Sequence, residues 1–189
     1  MTTLAVHLPA SNSAAAAASA SPPAWPPEWV VTALSPLDGR YAGKTRAVAD
    51  AFSEYALLRE RVRVELAWLK ALADEPAISE LPAFDAGELA LLERLIAEFT
   101  PASAIEVKAI ERETNHDVKA VEYWIKRQLA SHPSLLAKAE FVHFACTSED
   151  INNVAHALML RRGVHEVWLA ALDAVLGRLS ALALAHADV

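Results

Sequence analysis

Cysteine occurs once in these 189 residues, at Cys146, so no internal disulfide framework exists and the chain suits a reducing, cytoplasmic compartment. Basic residues are outnumbered 17 to 24, giving a net charge of −7 with no basic cluster, which argues against nucleic acid as a partner but allows a local anion site. No window holds 18 or more uncharged apolar residues, so no membrane partner is expected. No Lys or Arg precedes Arg40, which removes the basic region of a secretory signal and the Arg-rich pattern of a transit peptide. With five glycines, no sustained two-residue alternation and no Gly-rich phosphate loop, a β or doubly wound fold is disfavoured. Internal repeats, Cys/His metal spacing and a nucleophile elbow are also missing, so neither a metal nor a cofactor is expected.

What the sequence does have is helix. Hydrophobic residues make up 54%, much of it alanine, which favours helix without proving a large core. Residues 1–28 form an Ala/Ser tract and a proline patch, expected to be a disordered extension. A helical domain is expected over 29–145. It begins at Trp29–Leu34, which reads as either a short strand or an extended lead-in, followed by the loop Ser35-Pro36-Leu37-Asp38-Gly39-Arg40-Tyr41. Val48, Phe52, Tyr55, Val62, Leu66 and Leu69 mark one amphipathic helix from Thr45 to Asp74, ended by Glu75-Pro76. Asp85 and Glu88 suggest a capping box for the next helix, and Thr100-Pro101 starts another. The polar block Glu111–Asp117 then interrupts an apolar stripe, as a break between helices or as a polar pocket; in a break, Thr114 or Asn115 would cap the second helix.

From Thr147 or Ser148 a longer helix should begin, with Glu149 and Asp150 favoured in its first turn by the helix dipole. Its apolar positions, Ile151, Val154, Leu158, Val167, Leu172, Val175, Leu179 and Leu182, define a stripe on a helix of about 40 residues, about 60 Å long. Such a helix cannot bury its stripe against itself, so its partners are expected from further chain or from other subunits, and the C-terminus at Val189 reads as a cut. Residues 146–189 are thus expected to be the first, truncated helix of a bundle domain. Cys146 reads as a small buried hydrophobe.

Three segments carry a resemblance. S-P-L-D-G-R-Y at 35–41, T-N-H-D-V-K-A-V-E-Y at 114–123 and F-V-H-F-A-C-T-S-E-D-I-N-N at 141–153 resemble, in order and approximate spacing, the bacterial adenylosuccinate lyases of the fumarase/aspartase superfamily. The resemblance covers the opening third of such enzymes. It implies an all-α fold of an N-terminal helical domain plus the start of a long-helix bundle, in a homotetramer whose bundle is shared by all four subunits. It further implies β-elimination of fumarate from purine nucleotide substrates: adenylosuccinate, giving AMP, and the succinylated imidazole-carboxamide ribotide of de novo purine synthesis.

Residue by residue, the resemblance implies that Arg40 and Tyr41 hold the substrate phosphate. Asn115, His116 and Asp117 line the site, with His116 orienting the substrate, and Thr147 and Ser148 bind it. The family's general-acid histidine and catalytic serine belong to segments downstream of Val189, so the chain by itself is expected to be inactive. Two other readings remain: a non-catalytic helical interaction module, and a superfamily lyase acting on an aspartate or argininosuccinate derivative.

Overall fold

The computed structural model describes residues 27–188, which divide between Ala42 and Gly43 into two compact units. The expected disordered extension lies, up to residue 26, outside the described residues. In the first unit, helix α1 (Pro27–Thr32) takes the place of the expected strand or extended lead-in. The chain then turns back on itself through bonds from the Asp38 and Gly39 N–H groups to Ser35 O, both 3.1 Å, and from Tyr41 N–H to Pro36 O, 2.8 Å. A Cβ on Gly39 would lie 2.4 Å from the Val30 carbonyl oxygen, so the loop closes on α1 only because that residue is glycine.

The second unit is also helical, with no strand among the described residues. The single helix expected over Thr45–Asp74 is instead α2 (Arg46–Phe52) and α3 (Glu54–Ala73). Ser53 separates them: its backbone is extended, and its Oγ accepts the Ala56 N–H at 3.2 Å as the cap of α3. Asp85 and Glu88 form the expected capping box of α4 (Ala86–Ala97), at 2.8 and 3.0 Å. Thr100 caps α5 (Pro101–Thr114), with proline in its first turn. There follow α6 (Asp117–Ala130), the single turn α7 (Pro133–Leu136), a short 3₁₀ turn over Ala139–Phe141, and α8 (Ser148–Arg162). A π-helical turn, Gly163–Trp168, joins α8 to α9 (Leu169–Ala185), making one helix of 38 residues.

The main core lies between α3 and the α5–α6 hairpin. Leu58, Val62, Leu66 and Leu69 of α3 pack with Val107, Ile110, Val121 and Ile125, and Phe99 sets its ring edge-on to Trp124 at 5.2 Å. A smaller cluster, Val64, Val118, Ile151 and Ala155, joins α3, α6 and α8. The long helix shows a different inner face from the expected stripe. Ile151, Ala155, Met159 and Gly163 are buried, whereas Val154 is 48% exposed. Small residues at Ala155 and Gly163 permit close approach, which a search for large apolar residues misses.

Beyond Trp168 every residue of α9 is exposed or half-buried among the described residues, Val175, Leu179 and Leu182 included. By length and composition alone, this 38-residue helix could cross a membrane. Asp173 and Arg178 interrupt its apolar half, each costing about 2.5–3.5 kcal/mol at a bilayer centre.

Gly163 has a second consequence. The ring of Phe52 covers it so closely that a Cβ would lie 2.2 Å from Phe52 Cε2. Alanine normally stabilises a helix by about 1 kcal/mol over glycine, but here Gly163→Ala is expected to lower the melting temperature by overpacking. In a Phe52→Ala background the same change should raise it; a rise in both backgrounds would refute the contact.

Candidate functional site

The polar block Glu111–Asp117 is a joint between two helices. Asn115, not the cap of α6, closes α5 in the left-handed conformation (φ 51°, ψ 34°), and its N–H donates to Glu111 O at 2.8 Å. Asparagine tolerates that geometry better than most residues. His116 is the N-cap of α6: its Nδ1 accepts the Lys119 N–H at 3.2 Å, a role expected of Thr114 or Asn115. With that lone pair engaged, a neutral ring carries its proton on Nε2 and presents a donor there. Asn115, His116 and Asp117 line an open concavity of about 680 Å³ with Lys108, Glu111 and Arg112. Hydrogen bonds to Glu111 and Glu54 raise the Lys108 ammonium above its ordinary pKa, so a cation stays at this rim.

Asp117 reaches the rest of the unit through Arg61 of α3. Arg61 Nη2–H donates to Asp117 Oδ2 at 2.6 Å, and Arg61 Nε–H donates to Asn152 Oδ1, on α8, at 2.9 Å. Partial burial works to raise the Asp117 pKa, but the hydrogen bond and positive charge of Arg61 prevail and hold it below the usual range. Sequence reasoning missed Arg61, since a lone arginine among the charged residues of a long helix carries no local signal.

The segment leading into α8 is held from the same face of α3. His143 Nδ1 and Glu65 Oε1 are 2.7 Å apart, and Trp68 Nε1–H donates to Phe144 O at 2.8 Å. His143 and Ala145 adopt positive φ, 65° and 58°, a conformation costing about 1–2 kcal/mol for non-glycine residues. Burial pushes the Glu65 carboxyl above its ordinary value, against the opposing effect of His143. His143 went unnoticed in the sequence because its partner lies 78 positions away.

Thr147 is the N-cap of α8, and Asp150 reaches back to it: Oδ2 accepts the Thr147 N–H at 2.7 Å and the Thr147 Oγ1–H at 2.8 Å. Those bonds hold the Asp150 carboxyl below its ordinary pKa. An anion arriving at Thr147 would therefore compete with Asp150 for the same two donors, whereas Ser148 follows as the first helical residue. Cys146 is half-buried, its thiol pKa raised by burial and by the nearby Glu65 and Asp150 charges, which keeps it protonated and unreactive. No group of three or more His, Cys, Asp or Glu residues able to hold a metal occurs among the described residues.

Of the five predicted residues of the second unit, Asn115 ends α5, His116 and Asp117 begin α6, and Thr147 and Ser148 begin α8, and Arg61 bridges α6 and α8. Arg40 and Tyr41 belong to the first unit, where Arg40 is exposed and its guanidinium lies 5.5 Å from the centre of the Tyr41 ring.

Residues 39–189 match the family model described as lyase. The chain belongs to the lyase family. Across 84% of its length it is 49% identical to an adenylosuccinate lyase of Escherichia coli K12, covering 35% of that relative. The same coverage, 84% of this chain and 35% of the relative, holds for adenylosuccinate lyases of Vibrio cholerae O395 at 48% identity and Legionella pneumophila Corby at 43%. The chain spans about a third of the length of these curated relatives, and its all-helical fold is that of this lyase family.

The raised Glu65 pKa has a pH signature. The folded protein holds this proton more tightly than the unfolded chain, so the group's contribution is complete below its ordinary value of 4.5 and declines as pH rises through the folded value. Glu65→Gln removes that decline. The variant's urea midpoint should gain on wild type as pH increases above 4.5, and a constant difference across pH would show that Glu65 is not perturbed.

Proposed function

We propose that this lyase-family chain belongs to an adenylosuccinate lyase, which eliminates fumarate from adenylosuccinate to give AMP and from succinylaminoimidazole carboxamide ribotide in purine synthesis. The observation that carries this reading is 49% identity to an adenylosuccinate lyase over 159 residues. In this reaction a proton leaves the carbon next to a carboxylate, and the dianionic intermediate needs fixed donors where charge develops.

In this proposal Arg40 and Tyr41 clamp the phosphate, the planar guanidinium suiting two phosphate oxygens at once. His116 acts as a donor through Nε2–H, orienting the substrate rather than accepting its proton, a role supported by the bond from Lys119 N–H to Nδ1. Asn115 and Asp117 flank it, and Thr147 and Ser148 meet a carboxylate at the positive end of the α8 dipole. The uncovered apolar side of α9 supports the further proposal of a homotetramer in the cytoplasm, with long helices from other copies packed there rather than a bilayer.

Two variants test these roles in the native protein by following fumarate release. Arg40→Ala is expected to raise KM by about tenfold or more, as one charge-assisted contact is worth about 1.5–3 kcal/mol. An unchanged KM removes Arg40 from the phosphate. His116→Asn retains a good helix cap but loses the ring, so kcat should fall by about 100-fold with melting temperature nearly unchanged. If His116→Asn keeps full turnover, His116 is only a cap.

A further inference from the structure

Three charged side chains of α3 are buried: Glu60 and Arg61, each 5% exposed, and Glu65, 0% exposed. Glu60 is paired with Arg59 and Arg63 of its own helix, whereas Arg61 and Glu65 turn toward other elements. A guanidinium so placed needs acceptors fixed around it. Those of Arg61 lie on two other helices: Asp117 Oδ2 begins α6, and Asn152 Oδ1 lies four residues past Ser148 on α8. His116 adjoins this pair: Asp117 Oδ1 lies 3.8 Å from His116 Nδ1, too far for a hydrogen bond, and Nδ1 already accepts the Lys119 N–H, so Arg61 acts on His116 through the backbone at the start of α6. Beside the fork, Val64, Val118 and Ile151 draw together the same three helices, and neither contact of Arg61 can move without disturbing that packing.

We propose that Arg61 is a positioning residue for the lyase reaction: its guanidinium sets the distance and angle between the His116-bearing start of α6 and the Thr147–Ser148 start of α8, so that both segments address one substrate. The inference rests on the reading of those segments as substrate-binding. Arginine is needed because its planar fork serves two acceptors in fixed directions, whereas a lysine ammonium is a point charge on a flexible stem. A positioning error of about 1 Å at such a site costs about 100-fold in rate.

The test compares wild type, Arg61→Lys, Asn152→Ala and the double variant in the native assembly, measuring kcat and KM for adenylosuccinate together with melting temperature. Arg61→Lys should lower kcat by about tenfold or more while the protein stays folded at the assay temperature. Asn152→Ala should lower it less. The double variant should be no worse than Arg61→Lys alone, because both substitutions cut one link. Unchanged kcat and KM in Arg61→Lys, losses that multiply in the double variant, or losses that only follow the folded fraction would overturn the inference while leaving the lyase reading intact. Wild-type protein that releases no fumarate from adenylosuccinate would overturn both.

Discussion

Arg61 and Glu65, one turn apart on α3, lose their contact with water when the helices pack, and each must then find its partner inside the protein. This requirement orders the second unit. The partners come from α6, α8 and the segment before α8, so three stretches remote in sequence are tied to one helical face. Removing Asp117 would leave the buried Arg61 guanidinium without its charge partner, a loss of about 3–5 kcal/mol for a fully buried pair and less here, where half of the Asp117 side chain meets water. The surface ion pair of Arg46 and Asp50, by contrast, is exposed on both sides and contributes little.

The charges also shape what the candidate site can do. Arg61 keeps Asp117 ionised, and Asp150 engages both donors of Thr147, so neither residue meets a ligand as an isolated functional group. The same logic makes His116 a donor: by capping α6 with one nitrogen, it is left with a protonated nitrogen to present. Strain lies nearby, in the left-handed Asn115, His143 and Ala145. All three sit in or beside the segments that bind substrate in the proposed function, a common location for backbone held in unfavourable conformations.

The long helix divides at its π turn. Before Gly163 it packs on α2 and α3 and shares a small buried cluster with α3 and α6; after Trp168 its apolar side chains are uncovered among the described residues. Gly163, a cost by helix propensity alone, is where Phe52 and the helix backbone meet. The π turn widens the helix by part of a residue and rotates the face that follows. A straight 3.6-residue stripe therefore does not describe both halves.

The starts of α4, α5 and α8 were legible in the sequence because they rest on neighbouring residues: Asp85 with Glu88, Thr100 with Pro101, and Thr147 or Ser148 before an acidic first turn. The cap of α6 was not, since His116 holds it rather than Thr114 or Asn115. The all-helical character and the apolar faces of α3 and α6 followed from periodicity, and the seven candidate site residues from their segments' resemblance to known lyases. The break at Ser53 was hidden because the apolar pattern runs on across it, and α1 because a six-residue helix scarcely differs in composition from an extended lead-in. Tertiary structure alone decided that Arg61 meets Asp117 and Asn152, 56 and 91 residues away, and that His143 meets Glu65. Local chemistry selects helices and their ends over a few residues; which charged groups become neighbours depends on how the apolar faces of those helices dock, and no short stretch of sequence contains that information.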